Sequence, residues 1–222
     1  MPLDMEKFYR AYLKNLVFRQ HQGALQGDEG VGDGVCSALT YEWVKQNMTG
    51  TYSVQNWTRE NPLFRKFAVP EDTPIGRRFP ATTNVRVGMT KVPPGMALKQ
   101  KIAQLSLNNL GIERNFELLA QRDGRRVALV SKYMGFSGGG GDVGEQIEKH
   151  HVRFRQGYGL IGITEPKGHA VACQIAGSIN RYYDPNLGEF CFSSMHEFLD
   201  AFALMWEIAE YKYRNLHIWT MY

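Results

Sequence analysis

Two stretches decide how this chain reads: Gly168-His169-Ala170-Val171-Ala172-Cys173 and Tyr182-Tyr183-Asp184-Pro185-Asn186-Leu187-Gly188-Glu189-Phe190. A glycine followed by a histidine at the start of an apolar run places the imidazole at a strand end, and Gly168 leaves room there for a ligand. Pro185 holds Asp184 extended, so its carboxylate projects from the end of a strand just before a turn. The two residues are 15 positions apart, and a single hairpin brings them to the same end of neighbouring strands. An acid that accepts from one imidazole nitrogen fixes the tautomer and leaves the other nitrogen to serve a thiol. Taken singly, His169 reads as a satisfied sheet-edge histidine and Asp184 as an ordinary turn aspartate.

Outward from this hairpin, Tyr158–Ile163, His169–Ile175, Ser178–Tyr183 and Glu189–Phe192 are short β-rich runs separated by Gly, Pro and Asn. They predict a twisted antiparallel sheet with tight connections. A closing helix over Ser194–Glu210 starts at a Ser cap with Glu197 three residues later. Upstream, Arg126–Lys132 predicts a strand, and the apolar spacing predicts helices over Leu3–Phe18, Cys36–Met48 and Met96–Ala120, the last weakened by Asn108 and Gly111. Six prolines between Asn56 and Gly95 exclude a long helix there, leaving short strands such as Thr83–Met89. Helices first and a sheet late is an α+β pattern. The expectation is one catalytic domain over 1–222, two-lobed, with a helical lobe to about 125 and a sheet lobe from about 126.

The nucleophile candidate lies in Gly34-Val35-Cys36-Ser37-Ala38-Leu39-Thr40-Tyr41-Glu42-Trp43-Val44. Cys36 sits where a glycine-rich loop enters an amphipathic helix, and the uncompensated N–H groups of a helix's first turn favour a thiolate over a thiol. By position alone a buried, inert cysteine is the commoner fate. A Cys on a helix start followed by His and Asp on a late sheet is the order of papain-like cysteine hydrolases.

Gly34–Val44 and Gly168–Phe192, above all Gly-His-Ala-Val-Ala and Asp-Pro-Asn-Leu-Gly-Glu-Phe, resemble the YopT-like bacterial effector cysteine peptidases. The resemblance implies a papain-like fold with Cys36 as nucleophile, His169 as general base and acid, and Asp184 as its orienter. It also implies an effector that acts on a protein substrate in a target cell. No secretory signal pattern is present at the N-terminus. The expected route is therefore synthesis in a bacterial cytoplasm and delivery by a dedicated apparatus, with a secretion chaperone as a possible partner, for action in the target cell's cytosol. Papain-like enzymes place an amide side chain a few residues before the nucleophile. Here Gly30–Val35 contain none, which leaves Gln26 (or Gln22) or backbone N–H groups for the oxyanion. The same triad also serves glutamine deamidation or transglutamination, and a catalytically silent binding protein of this fold is the third reading.

Composition removes other classes. The chain has 222 residues, 43% hydrophobic and 22% charged, and its net charge of +4 comes without dense Lys/Arg runs. That excludes disorder and gives no nucleic-acid footprint. No run approaches the 18 or so apolar residues of a membrane span. Three cysteines without Cys-x-x-Cys spacing suggest reduced thiols and no zinc site, and no cofactor is implied. Gly139-Gly140-Gly141-Asp142-Val143-Gly144 satisfies G-x-G-x-x-G, but the charged Glu145–His150 after it argues against a dinucleotide-binding helix, and the segment reads as a mobile surface loop. His150 and His151 would point apart on a strand and could not share a metal. Cys173 falls on the strand face of His169, where it would back the site. Tyr211, Tyr213, Trp219 and Tyr222 read as core or edge packing.

Overall fold

The computed structural model describes residues 5–19, 36–54, 112–133, 140–164, 168–208 and 215–222. Seven strands form one sheet: β1 (Leu16–Arg19), β2 (Val127–Tyr133), β3 (Tyr158–Thr164), β4 (His169–Ala176), β5 (Ile179–Asp184), β6 (Gly188–Phe192) and β7 (Asn215–Met221). Their order is β1-β6-β5-β4-β3-β7-β2, with every neighbouring pair antiparallel. Side chains alternate between two faces. Val171, Tyr182, Phe190 and Ile218 join one core cluster, and Ala170, Ala172, Tyr183 and Trp219 join the other. Helices α1 (Met5–Ala11), α4 (Gly140–His150) and α5 (Met195–Ile208) supply the first cluster, whereas α2 (Cys36–Met48) and α3 (Ile112–Arg122) supply the second. Because both faces are covered, the central strands read as nearly continuous apolar runs.

The expected strands in the last hundred residues lie within a residue or two of β3 to β6, and β2 and α2 fall where the spacing put them. The capping serine holds as well: Ser194 Oγ accepts from the Glu197 N–H at 3.2 Å. The Glu197 carboxylate reaches Lys14 at 2.8 Å, tying α5 to the segment before β1.

Three expectations are corrected. The helix over Leu3–Phe18 ends at Ala11, and after a single 3-10 turn the chain enters the sheet as β1. Pairing of Leu16 with Phe190, and an Asn15 Nδ2 bond to the Cys191 carbonyl at 3.1 Å, override the local helical spacing there. The strand β7 had no counterpart in the sequence reading. It lies between β3 and β2 with all seven residues buried, so it shows no alternation to read. The glycine-rich segment is no surface loop from Gly140 onward but the start of α4, with Val143 and Ile147 fully buried. A Cβ on Gly140 would stand 2.3 Å from the Ala203 carbonyl oxygen and 2.6 Å from its Cα, so the glycine is what lets α4 approach α5. Gly144, one turn on, meets Leu199 on the same face.

The readings on Gly30–Val35, Gln22, Gln26, Thr83–Met89, the first part of Met96–Ala120, Gly139, Tyr211 and Tyr213 lie outside the described residues. Among the described residues, no helix is long and apolar enough to cross a membrane.

Gly140→Ala forces backbone against backbone and is expected to cost about 1–3 kcal/mol in urea denaturation. Gly141→Ala, exposed and with open space around it, is expected to gain about 0.5–1 kcal/mol, the usual helical difference between the two residues. Equal effects would contradict the close packing of α4 on α5.

Candidate active site

Three element ends meet at the site. Cys36 is the first residue of α2, His169 the first of β4, and Asp184 the last of β5. The β4–β5 hairpin pairs Ala172 with Tyr183, which carries the start of one strand beside the end of the other. His169 Nε2 then lies 2.9 Å from Asp184 Oδ1.

The aspartate is held on every side. Its Oδ1 also accepts the Asn186 backbone N–H at 2.7 Å, and its Oδ2 accepts the Tyr182 hydroxyl at 2.8 Å. Its own carbonyl accepts from the Leu187 N–H at 3.0 Å, closing the turn that Pro185 begins. Gly188 ends that turn at φ +112°, a conformation other residues resist. A fully buried carboxylate is tolerated only with partners of this kind. Tyr182 was given no role from the sequence. The available signal was its place two residues before Asp184, on the same strand face.

His169 is only 4% exposed. Burial acts to lower its pKa, but the Asp184 charge and hydrogen bond, with a further hydrogen bond and charge contribution from Cys36, outweigh it and raise the imidazole to about 10. The arrangement therefore favours an imidazolium between the Asp184 carboxylate and the Cys36 sulfur.

Helix α2 is buried along its first nine residues, Cys36 to Val44, rather than on one stripe. Thr40, one turn after the cysteine, donates to the Ala170 carbonyl at 3.0 Å and so ties the helix to the residue after His169. Ser37 is covered from α3, where Asn115 Nδ2 reaches its Oγ at 3.3 Å. Gln26, the proposed oxyanion side chain, lies outside the described residues. Cys173 does not share a cluster with Cys36. It packs in the core on the α5 side of the sheet, and burial pushes its thiol up to about 12. Adjacent to the site, the buried Glu189 accepts from Trp43 Nε1 at 3.0 Å, from Arg181 Nε at 2.8 Å and from Tyr52. A glutamate inside the apolar run Glu189-Phe190-Cys191-Phe192 was the sequence signal for this contact. Among the described residues, no group of three or more His, Cys, Asp or Glu is placed to hold a metal ion.

With this geometry in view, comparison with known proteins gives the fold and a family match over part of the chain. The family model Peptidase_C58, described as Yersinia/Haemophilus virulence surface antigen, matches residues 143–218, about a third of the chain. That span contains His169 and Asp184 and excludes Cys36. The crystal structure of the Pseudomonas avirulence protein AvrPphB superposes with a TM-score of 0.58 at 14% identity, covering 98% of this chain and 99% of that one. The PatoxP cysteine protease-like domain of the Photorhabdus asymbiotica toxin PaTox aligns at 13% identity over 98% of this chain and 58% of its own, with a TM-score of 0.42 that carries no argument. No curated protein sequence matches. The fold is papain-like α+β, and the resemblance to the YopT-like cysteine peptidases stands.

The histidine gives a direct test. Its raised pKa means the imidazolium–carboxylate pair adds its full stability below pH about 6.5 and loses it as pH climbs toward the folded-state value. By NMR titration His169 is expected to keep its proton well above the pH at which ordinary histidines lose theirs. Asp184→Asn removes the charge that opposes burial, and the midpoint is expected to fall by about 1–3 pH units. An unchanged midpoint would contradict the assignment of Asp184 as its main partner.

Proposed function

We propose that this chain is a thiol protease in which Cys36, His169 and Asp184 act as nucleophile, general base and acid, and orienter. The observation that carries the reading is the buried His169, hydrogen-bonded through Nε2 to Asp184 and through its ring to the Cys36 side chain. With Nε2–H donated to the carboxylate, Nδ1 is the nitrogen that faces the Cys36 sulfur, and in the imidazolium it holds the proton that the thiol gives up. The Cys36 sulfur then attacks the scissile carbonyl carbon, and the C=O electron pair moves onto oxygen. The backbone N–H of Cys36 stabilises that oxyanion, with Gln26 as the proposed second donor. His169 returns its proton to the leaving amine as the C–N bond breaks, which leaves a thioester on Cys36. His169 next takes a proton from water, hydroxide adds to the thioester, and the thiol and the new carboxyl group are released.

The whole chain, 1–222, acts as one catalytic domain. The helical part supplies the nucleophile, and the sheet part supplies the base and the acid. The match to a virulence-antigen peptidase family supports a protein substrate in a target cell. Delivery from a bacterial cytoplasm through a dedicated secretion apparatus is part of the same proposal.

The test compares peptide N-termini in a eukaryotic lysate, and separately in a bacterial one, after incubation with the native protein or its variants. New termini are expected from the native protein in one of the two. Cys36→Ala and His169→Ala are expected to lose them by about 10⁴-fold or more, and Asp184→Ala to retain a residual rate, since an orienter contributes less than the nucleophile. Cys36-dependent Gln-to-Glu conversion without new termini would replace proteolysis with deamidation. No Cys36-dependent product in either lysate would favour a silent fold.

A further inference from the structure

Helix α2 does more than present Cys36. Cys36, Thr40, Trp43 and Asn47 follow at i, i+4, i+7 and i+11, which at about 3.6 residues per turn puts them on one stripe. The three residues after the cysteine each end in a polar contact with the sheet. Thr40 donates to the Ala170 carbonyl at 3.0 Å, Trp43 Nε1 donates to Glu189 Oε2 at 3.0 Å, and Asn47 Oδ1 accepts from Arg181 Nη1 at 2.5 Å.

The last two contacts share one ion pair, between the half-buried Arg181 and the buried Glu189. Arg181 Nε and Nη2 both reach Glu189 Oε1, and Arg181 Nη1 also reaches Gln174 Oε1 on β4 at 3.2 Å. Glu189 is 1% exposed. The Trp43 ring stacks with the Tyr183 ring at 5.4 Å and 6°, and the Arg181 guanidinium lies over the Trp43 ring at 4.9 Å from its centre. One charged pair thereby joins α2 to β4, β5 and β6, the strands that bear His169 and Asp184 and the strand beside them.

An apolar interface is non-directional, so a helix seated on one can shift along its axis with little loss. Hydrogen bonds of fixed length and angle oppose such a shift, and charge-assisted forks oppose it most. We propose that the Arg181–Glu189 pair, acting through Trp43 and Asn47, positions α2 along the sheet and so holds the Cys36 sulfur against His169. These are positioning residues. The inference rests on the Cys36–His169 pairing proposed above.

The test needs no natural substrate. Iodoacetamide modification of Cys36 is followed by mass spectrometry at pH 6 in the full chain. Iodoacetamide alkylates the thiolate rather than the thiol, so the rate reads whether a base stands against the sulfur. The native protein is expected to react faster than His169→Ala. Arg181→Met with Glu189→Leu keeps the volume and removes both charges, an exchange that folded proteins commonly tolerate. With cooperative unfolding retained, this double variant is expected to react about 10- to 100-fold more slowly than native, the loss a misplacement of about 1 Å brings. Arg181→Lys is expected to fall between, because it keeps the charge and loses the fork. Trp43→Phe with Asn47→Ala, which leaves the ion pair in place and cuts its links to α2, is expected to match the first double variant and decides the matter if that one fails to fold. A folded variant of either kind that reacts at the native rate would overturn the positioning role. Equal rates for native and His169→Ala would instead overturn the Cys36–His169 pairing itself.

Discussion

The register of β4 against β5 is the constraint from which the rest follows. With Ala172 opposite Tyr183, both side chains fall on the face that α2 covers, whereas Val171 and Tyr182 fall on the face that α5 covers. A slip of one residue would exchange the two sets, placing a tyrosine where an alanine-sized space exists and moving Asp184 away from His169. Burial on both faces makes that slip costly. The alignment of histidine and aspartate is thus secured by packing several residues away from the chemistry.

Two buried carboxylates lie on this sheet, and their partners set their parts. Asp184 faces an imidazole, a ring that can carry a proton between a sulfur and a leaving amine, and is steadied by a tyrosine hydroxyl and a turn N–H. Glu189 faces a guanidinium, which holds its proton at any pH the protein meets, and the donors of Trp43 and Tyr52. The first arrangement can move a proton and the second can only hold geometry. Both carboxylates sit in the string Asp184-Pro185-Asn186-Leu187-Gly188-Glu189, at either side of one turn. A single short segment therefore serves both the proposed chemistry and its alignment.

The strands from Tyr158 to Phe192 were legible because Gly, Pro and Asn bound them on each side, and Cys36 drew notice because it stands where a glycine-rich stretch enters an amphipathic helix. Sequence reasoning failed where tertiary pairing overrode the local pattern. Leu16–Arg19 continues a helical spacing yet pairs with β6, and Asn215–Met221 is buried on both faces with no period to detect. Gly140 looked like surface-loop material because a single sequence does not reveal which backbone a missing Cβ admits. His169 and Asp184 stood out only together with Cys36, through their order along the chain and the motifs they sit in. Tyr182, Thr40 and Arg181 did not, since their parts depend on which strand or helix lies opposite.

The central claim, that Cys36 is chemically distinct because of what surrounds it, is most directly tested by competition among the three cysteines. Cys191 is half-buried, while Cys36 is 7% exposed and Cys173 not at all. The measurement is peptide mapping after limited reaction of the native protein with less than one equivalent of iodoacetamide at mildly acidic pH. The account predicts that the label falls on Cys36 despite its lower exposure, and leaves Cys36 when His169 is replaced by alanine. Label on Cys191 first, with Cys36 unmodified, would contradict it.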